Sequence, residues 1–124
     1  MRKIENLDDV HFMVDEFYKR VRQHEELGPI FNNKIGELWV LHIDTLTRFW
    51  ETLLLGNRTY FGSPFPKHME LPIEDVHFDM WLGLFKETID DLFEGDKAEE
   101  AKNRASLIAK TFQSKLNYLK QQST

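Results

Sequence analysis

The chain has 124 residues, a length that suits one domain, and we expect a single domain over residues 1–124. A net charge of −5 with no basic block argues against a nucleic-acid partner, and the lack of cysteine excludes a disulfide framework, a thiolate ligand and a catalytic thiol. No apolar run approaches ~18 residues and the N-terminus has no apolar signal core, so we expect a cytoplasmic protein with no membrane partner.

The first predicted helix runs from about Asp8 to Gln23, with Asn6 or Asp8 as its N-cap. Tyr18 is adjacent to the apolar face of this helix, one residue after Phe17. Gly28-Pro29 predicts a break after the helix. The apolar face has five members at helical spacing: Val10, Met13, Val14, Phe17 and Val21.

A second predicted helix runs from about Glu37 to Leu55 and ends at Gly56-Asn57. His42 stacks at helical spacing with Leu46 and Phe49, so it shares the inward side. The apolar stripe consists of Trp39, Ile43, Leu46, Trp50, Leu53 and Leu54.

Residues 57–72 follow neither a helical nor a strand period, and they contain three prolines. A connection of this length inside a compact domain is uncommon and often functional. His68 lies in this segment, where flanking prolines restrict the backbone and can aim one side chain inward.

Two more helices complete the prediction, one from near Pro72 to Gly95 and one from about Lys97 to Lys120. The fourth helix begins with small residues, where another helix can approach closely. No segment shows the alternation of a strand, so the predicted fold class is all-α. The apolar positions are Phe78, Trp81, Leu82, Phe85, Ile89, Leu92 and Phe93 in the third helix, and Ala98, Ala101, Ala105, Ile108, Phe112, Leu116 and Leu119 in the fourth.

The histidines admit two interpretations each. His42 is either an ordinary core histidine or a contact to a bound ligand, and His68 is either a solvated loop residue or an inward imidazole. Two histidines that approach an apolar interior from different segments form a geometry that a haem iron can use. His11, His24 and His77 are interpreted as surface residues, and no pair of histidines has the spacing of a zinc site.

Tyr18 and Trp81 are also open to two interpretations. Each is either a packed core aromatic with a local hydrogen-bond partner, or a donor to something bound in a pocket. For Trp81 the pattern alone favours core packing.

Several short motifs, in their order and spacing, resemble the truncated haemoglobins, and most closely their group III branch. The resemblance covers nearly the whole chain, and His68 thirteen residues before Trp81 is its most specific spacing. The connection from Asn33 through Gly36 into the helix of His42 is short for this branch. The motifs are Phe17-Tyr18-Lys19-Arg20-Val21, Leu27-Gly28-Pro29-Ile30-Phe31-Asn32-Asn33, His42 with Phe49-Trp50, Leu53-Leu54-Leu55-Gly56, Lys67-His68-Met69-Glu70-Leu71-Pro72 and Phe78-Asp79-Met80-Trp81-Leu82-Gly83-Leu84-Phe85.

The resemblance implies a truncated globin fold, in which helices form a two-over-two sandwich around haem. It implies that His68 is the proximal iron ligand, a place that His77 does not occupy. On the other side of the haem, it implies a distal tyrosine at Tyr18, a distal histidine at His42 and a hydrogen-bonding tryptophan at Trp81.

The resemblance also implies which residues would line the haem site. Phe31 would pack against the haem ring, and Leu46, Phe49 and Trp50 would extend the apolar wall. Lys67 would reach a haem propionate.

The sequence thus yields a main hypothesis and two alternatives. The main hypothesis is a haem protein that binds O2 or another diatomic ligand at a histidine-ligated iron, with a polar distal pocket that slows release. Such slow release suits ligand capture or redox chemistry better than bulk delivery. The first alternative is a redox enzyme on the same haem, which reduces peroxide or oxidises nitric oxide with an electron donor that no residue identifies. The second is a helical binding module without haem.

Overall fold

Five α-helices and one short 3-10 turn make up the protein in the computed structural model, which describes residues 1–60 and 74–122. The predicted all-α class is confirmed. In these residues the isolated bridge between Arg2 and Phe93 is the only β pairing. The helices are α1 (Leu7–Gln23), α2 (Leu27–Ile35), α3 (Trp39–Leu55), α4 (Asp75–Leu92) and α5 (Asp96–Gln122), with the 3-10 turn at Gly36–Leu38 between α2 and α3.

The helices pack as two pairs. α1 lies against α3, α4 lies against α5, and contacts between α1 and α4 join the pairs. α2 rests on α1. Phe17 and Phe85, both fully buried, meet edge to face at 5.0 Å where the pairs join. The core therefore forms between the pairs, where the apolar faces of four helices converge.

α1 follows its predicted pattern closely. All five residues of the predicted apolar face are buried, and Tyr18 is buried beside them. Asn6 is the N-cap, as predicted, and its side-chain oxygen accepts the Asp9 backbone N–H at 3.1 Å.

Asp9 completes the capping box at the start of α1. Its carboxylate accepts the backbone N–H of Glu5 at 2.9 Å, that of Asn6 at 3.2 Å and the Arg2 guanidinium at 2.8 Å. Burial acts to raise the pKa of Asp9, but these donors outweigh burial and hold the pKa below its usual value.

Because the folded state lowers the pKa of Asp9, its ionised form stabilises the protein above the unfolded pKa of about 3.9, and this contribution disappears as the pH falls through the lower folded pKa. We expect Asp9→Asn to lower the free energy of unfolding by about 1–3 kcal/mol at pH 7, with a smaller loss near pH 3. Urea denaturation followed by circular dichroism measures the free energy of unfolding at both pH values. Asp8→Asn, at an exposed neighbour in the same turn, is the control, and an equal loss in both variants would contradict this role.

The break predicted after the first helix is confirmed, since α1 ends at Gln23. Gly28-Pro29 does not lie in the break itself, however, because both residues belong to the first turn of α2. N–H groups in a first turn need no partner within the helix, so proline is tolerated there. The His24 Nδ1 accepts the Leu27 N–H at 3.1 Å. A Cβ on Gly28 would lie 2.6 Å from the Arg22 carbonyl oxygen, so glycine allows α2 to lie directly against the end of α1.

α3 begins two residues later than predicted. The expected short connection is a single 3-10 turn, which leads from α2 directly into Trp39. α3 ends as predicted at Leu55, where Gly56 adopts a left-handed conformation with φ of +76°.

α4 and α5 match the prediction except at their ends. Pro72, the predicted start of α4, lies outside the described residues, and the helix begins at Asp75 after the N-cap Glu74. α4 ends at Leu92 rather than Gly95, and α5 extends two residues past the predicted Lys120. The three alanines early in α5 are buried, as expected for close packing, whereas Leu119 is 36% exposed.

Candidate functional site

A cleft between the helix pairs is lined almost entirely by apolar and aromatic side chains. Its atom-free space is about 610 Å³, counting the part of the mouth that is open to solvent. All five helices contribute. The described lining residues are Tyr18, Leu27, Phe31, Leu46, Phe49, Trp50, His77, Phe78, Trp81, Ile108, Ala109 and Phe112. Six of them are predicted site residues: Tyr18, Phe31, Leu46, Phe49, Trp50 and Trp81.

Tyr18 supplies a buried hydroxyl at this cleft. Only 3% of the residue is exposed, and burial raises its pKa to about 12, because a phenolate there would lose its hydration. A hydrogen bond with the Trp81 side chain acts in the opposite direction and offsets part of the rise. Tyr18 therefore keeps its proton at neutral pH and remains a hydrogen-bond donor.

Aromatic contacts fix the orientation of the Tyr18 ring. The ring meets Phe17 edge to face at 4.7 Å and Phe31 at 6.3 Å. Phe17 is fully buried, so the contact holds Tyr18 at the border between the core and the cleft.

Trp81 lies at one end of a three-ring stack that links α4 to α3, with Phe85 in the middle. Its ring lies nearly parallel to that of Phe85, with the centroids 5.8 Å apart, and Phe85 stacks in turn on Trp50 at 5.1 Å. The Phe17 ring packs edge to face against Trp81, with the ring centroids 5.5 Å apart. Packing of this kind restricts the rotation of Trp81, although the residue is half-buried.

His42 does not line the described part of the cleft. It is half-buried on α3, and its ring packs edge to face against Tyr18 at 5.6 Å and against Trp39 at 5.5 Å. The Trp39 indole donates to the Asn32 Oδ1 at 3.1 Å, and the Arg22 guanidinium lies 4.7 Å above the Trp39 ring. His42 thus contacts the tyrosine of the cleft from a cluster that reaches the protein surface.

His77 is half-buried and lines the cleft, so it is a surface residue only in part. Its Nδ1 accepts the backbone N–H of Glu74 at 2.9 Å, as part of the cap of α4. In a neutral ring this bond leaves the proton on Nε2, which is then a donor.

The sequence analysis also missed five apolar lining residues on α2, α4 and α5. Periodicity identified three of them as inward-facing, yet a residue that lines a cleft has the same spacing as one that packs in a core. Only the placement of α4 and α5 relative to α1, α2 and α3 shows that a cleft lies beside these residues. The five are Leu27, Phe78, Ile108, Ala109 and Phe112.

The predicted iron ligand His68 and its neighbour Lys67 lie outside the described residues. The described chain stops at Tyr60 and resumes at Glu74. The Tyr60 ring lies 5.4 Å from Phe49, and Glu74 bonds to His77. Both flanks of the segment that carries His68 therefore contact residues of the cleft lining.

Two helix pairs packed around an aromatic cleft define a globin-like protein. The model of the bacterial-like globin family matches residues 3–115. The group 3 truncated haemoglobin ctb of Campylobacter jejuni is 36% identical over 115 residues, which cover 90% of this chain and 91% of the relative. The group 2 truncated haemoglobin YjbI of Bacillus subtilis is 31% identical over 101 residues, 79% of this chain and 76% of the relative.

Among solved structures, the crystal structure of the group III truncated haemoglobin from Campylobacter jejuni matches with a TM-score of 0.84 and 36% identity, over 93% of this chain and 95% of that one. The chain belongs to the bacterial-like globins, and within them to the group III truncated haemoglobins. The predicted truncated globin fold is confirmed.

Membership of the globin family implies that the protein binds haem and removes the interpretation as a module without haem. The cleft fits this group, because apolar and aromatic side chains suit the faces of a macrocycle, while Tyr18 and His77 add polar groups. None of the helices in the described ranges is long and apolar enough to cross a membrane.

Proposed function

We propose that the protein binds O2 or another diatomic ligand at the iron of a haem held in the cleft, and that Tyr18 and Trp81 slow its release. When bound, haem would supply an iron that can bind a diatomic ligand. The observation that carries the proposal is the buried, protonated hydroxyl of Tyr18 at the cleft.

With a ligand in the cleft, Tyr18 and Trp81 would each donate a hydrogen bond to it, and the Trp81 N–H would turn from the Tyr18 hydroxyl to the ligand. The Trp81 indole is a donor only, and the raised pKa of Tyr18 keeps its hydroxyl protonated. A hydrogen bond to a partly charged acceptor contributes about 1.5–3 kcal/mol. Two such bonds would slow release by about 10²-fold or more, since 1.4 kcal/mol corresponds to a factor of ten.

The residues that would hold haem come from several helices. Phe31, Leu46, Phe49 and Trp50 provide apolar contact with the ring, all from the lining of one cleft. Lys67 would pair with a propionate.

His68 would ligate the iron. Support comes from the flanks of its segment, Tyr60 and Glu74, which both contact lining residues. A hydrogen bond from the other ring nitrogen of His68 to a nearby acceptor would fix its orientation, as is usual for metal-bound histidines.

His42 would control access to the cleft. Its ring packs on Tyr18 and Trp39, so its displacement would change the environment of the Tyr18 hydroxyl. We further propose that residues 1–124 act as one domain and that the protein works in the cytoplasm.

Titration of the purified chain with haem tests this function. Trp50 and Trp81 line the cleft, so haem bound there will quench their fluorescence by energy transfer. We expect quenching with an end point of one haem per chain, together with a Soret band. Fluorescence that persists with no Soret band would overturn the proposal.

A further inference from the structure

A network of polar side chains holds the chain against α3 after the helix ends. Glu51 is only 6% exposed, yet both of its carboxylate oxygens accept hydrogen bonds from the segment that follows the helix. The Thr59 hydroxyl donates to Oε1 at 2.6 Å and the Asn57 amide donates to Oε2 at 3.3 Å. Burial of a carboxylate is costly unless donors satisfy it, so these bonds are needed where Glu51 lies.

Thr52 adds a second set of bonds to the same segment. Its Oγ1 accepts the backbone N–H groups of Thr59 and Tyr60, both at 3.2 Å. The Thr52 hydroxyl proton is donated to the carbonyl of Arg48, at 2.9 Å, or of Asn57, at 3.0 Å. We call Glu51, Thr52, Asn57, Thr59 and Tyr60 the exit network.

The exit network positions Tyr60 on the wall of the cleft. The Tyr60 ring meets Phe49 edge to face at 5.4 Å, and Phe49 lines the cleft. His68 is eight positions after Tyr60 in the sequence, and a fully extended chain of that length spans at most about 28 Å. A fixed Tyr60 therefore limits where the following segment can go.

We propose that Glu51 and Thr52 are positioning residues, which fix Asn57–Tyr60 against α3 so that the segment after Tyr60 starts at the cleft wall and haem is retained. This role rests on the proposed function, because it concerns the haem that the cleft would hold. Burial of an apolar contact at this place would cost less free energy than burial of these polar groups. The polar network therefore fits a role in defining one direction of the chain, rather than in stability alone.

Thr52→Val tests the proposal, because it keeps the side-chain shape and removes the acceptor for two backbone N–H groups. Thr45→Val is the matched control, since among the described residues the Thr45 hydroxyl bonds within α3, to the Leu41 carbonyl. In the protein without haem, we expect faster amide hydrogen exchange at Thr59 and Tyr60 in Thr52→Val but not in Thr45→Val. In the haem-loaded protein, we expect haem to leave for an excess of a haem-scavenging protein about tenfold faster.

A second pair of variants addresses Glu51. Glu51→Gln retains an acceptor for Thr59 and should keep haem nearly as well as the parent, whereas Glu51→Ala should lose it at a rate close to that of Thr52→Val. Unchanged amide exchange in Thr52→Val would overturn the network, and faster exchange with unchanged haem loss would overturn its role in haem retention. Failure of the parent chain to bind haem would instead overturn the proposed function, and the positioning role with it.

Discussion

Tyr18→Phe should release O2 about tenfold faster than the parent. The substitution keeps the ring and its contacts with Phe17 and Phe31, and it removes only the hydroxyl. A hydrogen bond to a partly charged acceptor is worth about 1.5–3 kcal/mol, and 1.4 kcal/mol corresponds to a factor of ten. Stopped-flow mixing of the oxygenated protein with an O2 scavenger measures the dissociation rate directly.

The control for this experiment is Tyr118→Phe, which makes the same chemical change on the exposed surface of α5. It should leave the dissociation rate at the parent value. An unchanged rate in Tyr18→Phe would remove the tyrosine from the proposed distal role, whatever the result for Trp81.

His68→Ala should purify without the haem absorbance of the parent. The substitution removes the side chain proposed to ligate the iron, and no thiolate can replace it because the chain has no cysteine. Free imidazole added with haem should restore a histidine-like spectrum, since it can occupy the space left by the side chain. Absorption spectra of the purified variants measure both effects.

His77→Ala distinguishes His77 from His68 as the candidate ligand of the iron. His77 lines the cleft and caps α4, so the variant should be less stable, yet it should keep the spectrum of a histidine-ligated haem. A normal histidine-ligated spectrum in His68→Ala, or its loss only in His77→Ala, would show that the axial ligand has been misassigned.

The sequence predicted the helices well where a single apolar face determines which side chains are buried. Each of the five apolar residues predicted for α1 is buried, because a period of 3.6 residues determines which side chains share a face. The prediction at Gly28-Pro29 was only partly right, because the break precedes this pair. Glycine and proline interrupt a helix when they lie in its interior, but they are tolerated in its first turn, where this pair lies. The local sequence does not distinguish the two cases.

The cleft was harder to predict than the helices. Phe112 and Ile108 follow the apolar period of α5, but the sequence does not show that the space beside them is a cleft. His77 was missed for a different reason. Its partner is a backbone N–H three residues earlier, and His77 itself also lines the cleft while it remains half exposed.

The family resemblance supplied what periodicity did not. It singled out Tyr18 and Trp81 from many aromatic residues, and the structure brings these two side chains together at one cleft. Its assignment of His68 stays a prediction, since that residue lies outside the described ranges.

The absorption spectrum of the haem-loaded chain, reduced and then exposed to CO, tests the central claim most directly. A diatomic ligand that binds the haem iron must change that spectrum. The account predicts a Soret band that shifts and sharpens when CO is added, at one CO per haem. A Soret band that does not respond to CO would contradict it, because the iron would then have no open position for a diatomic ligand.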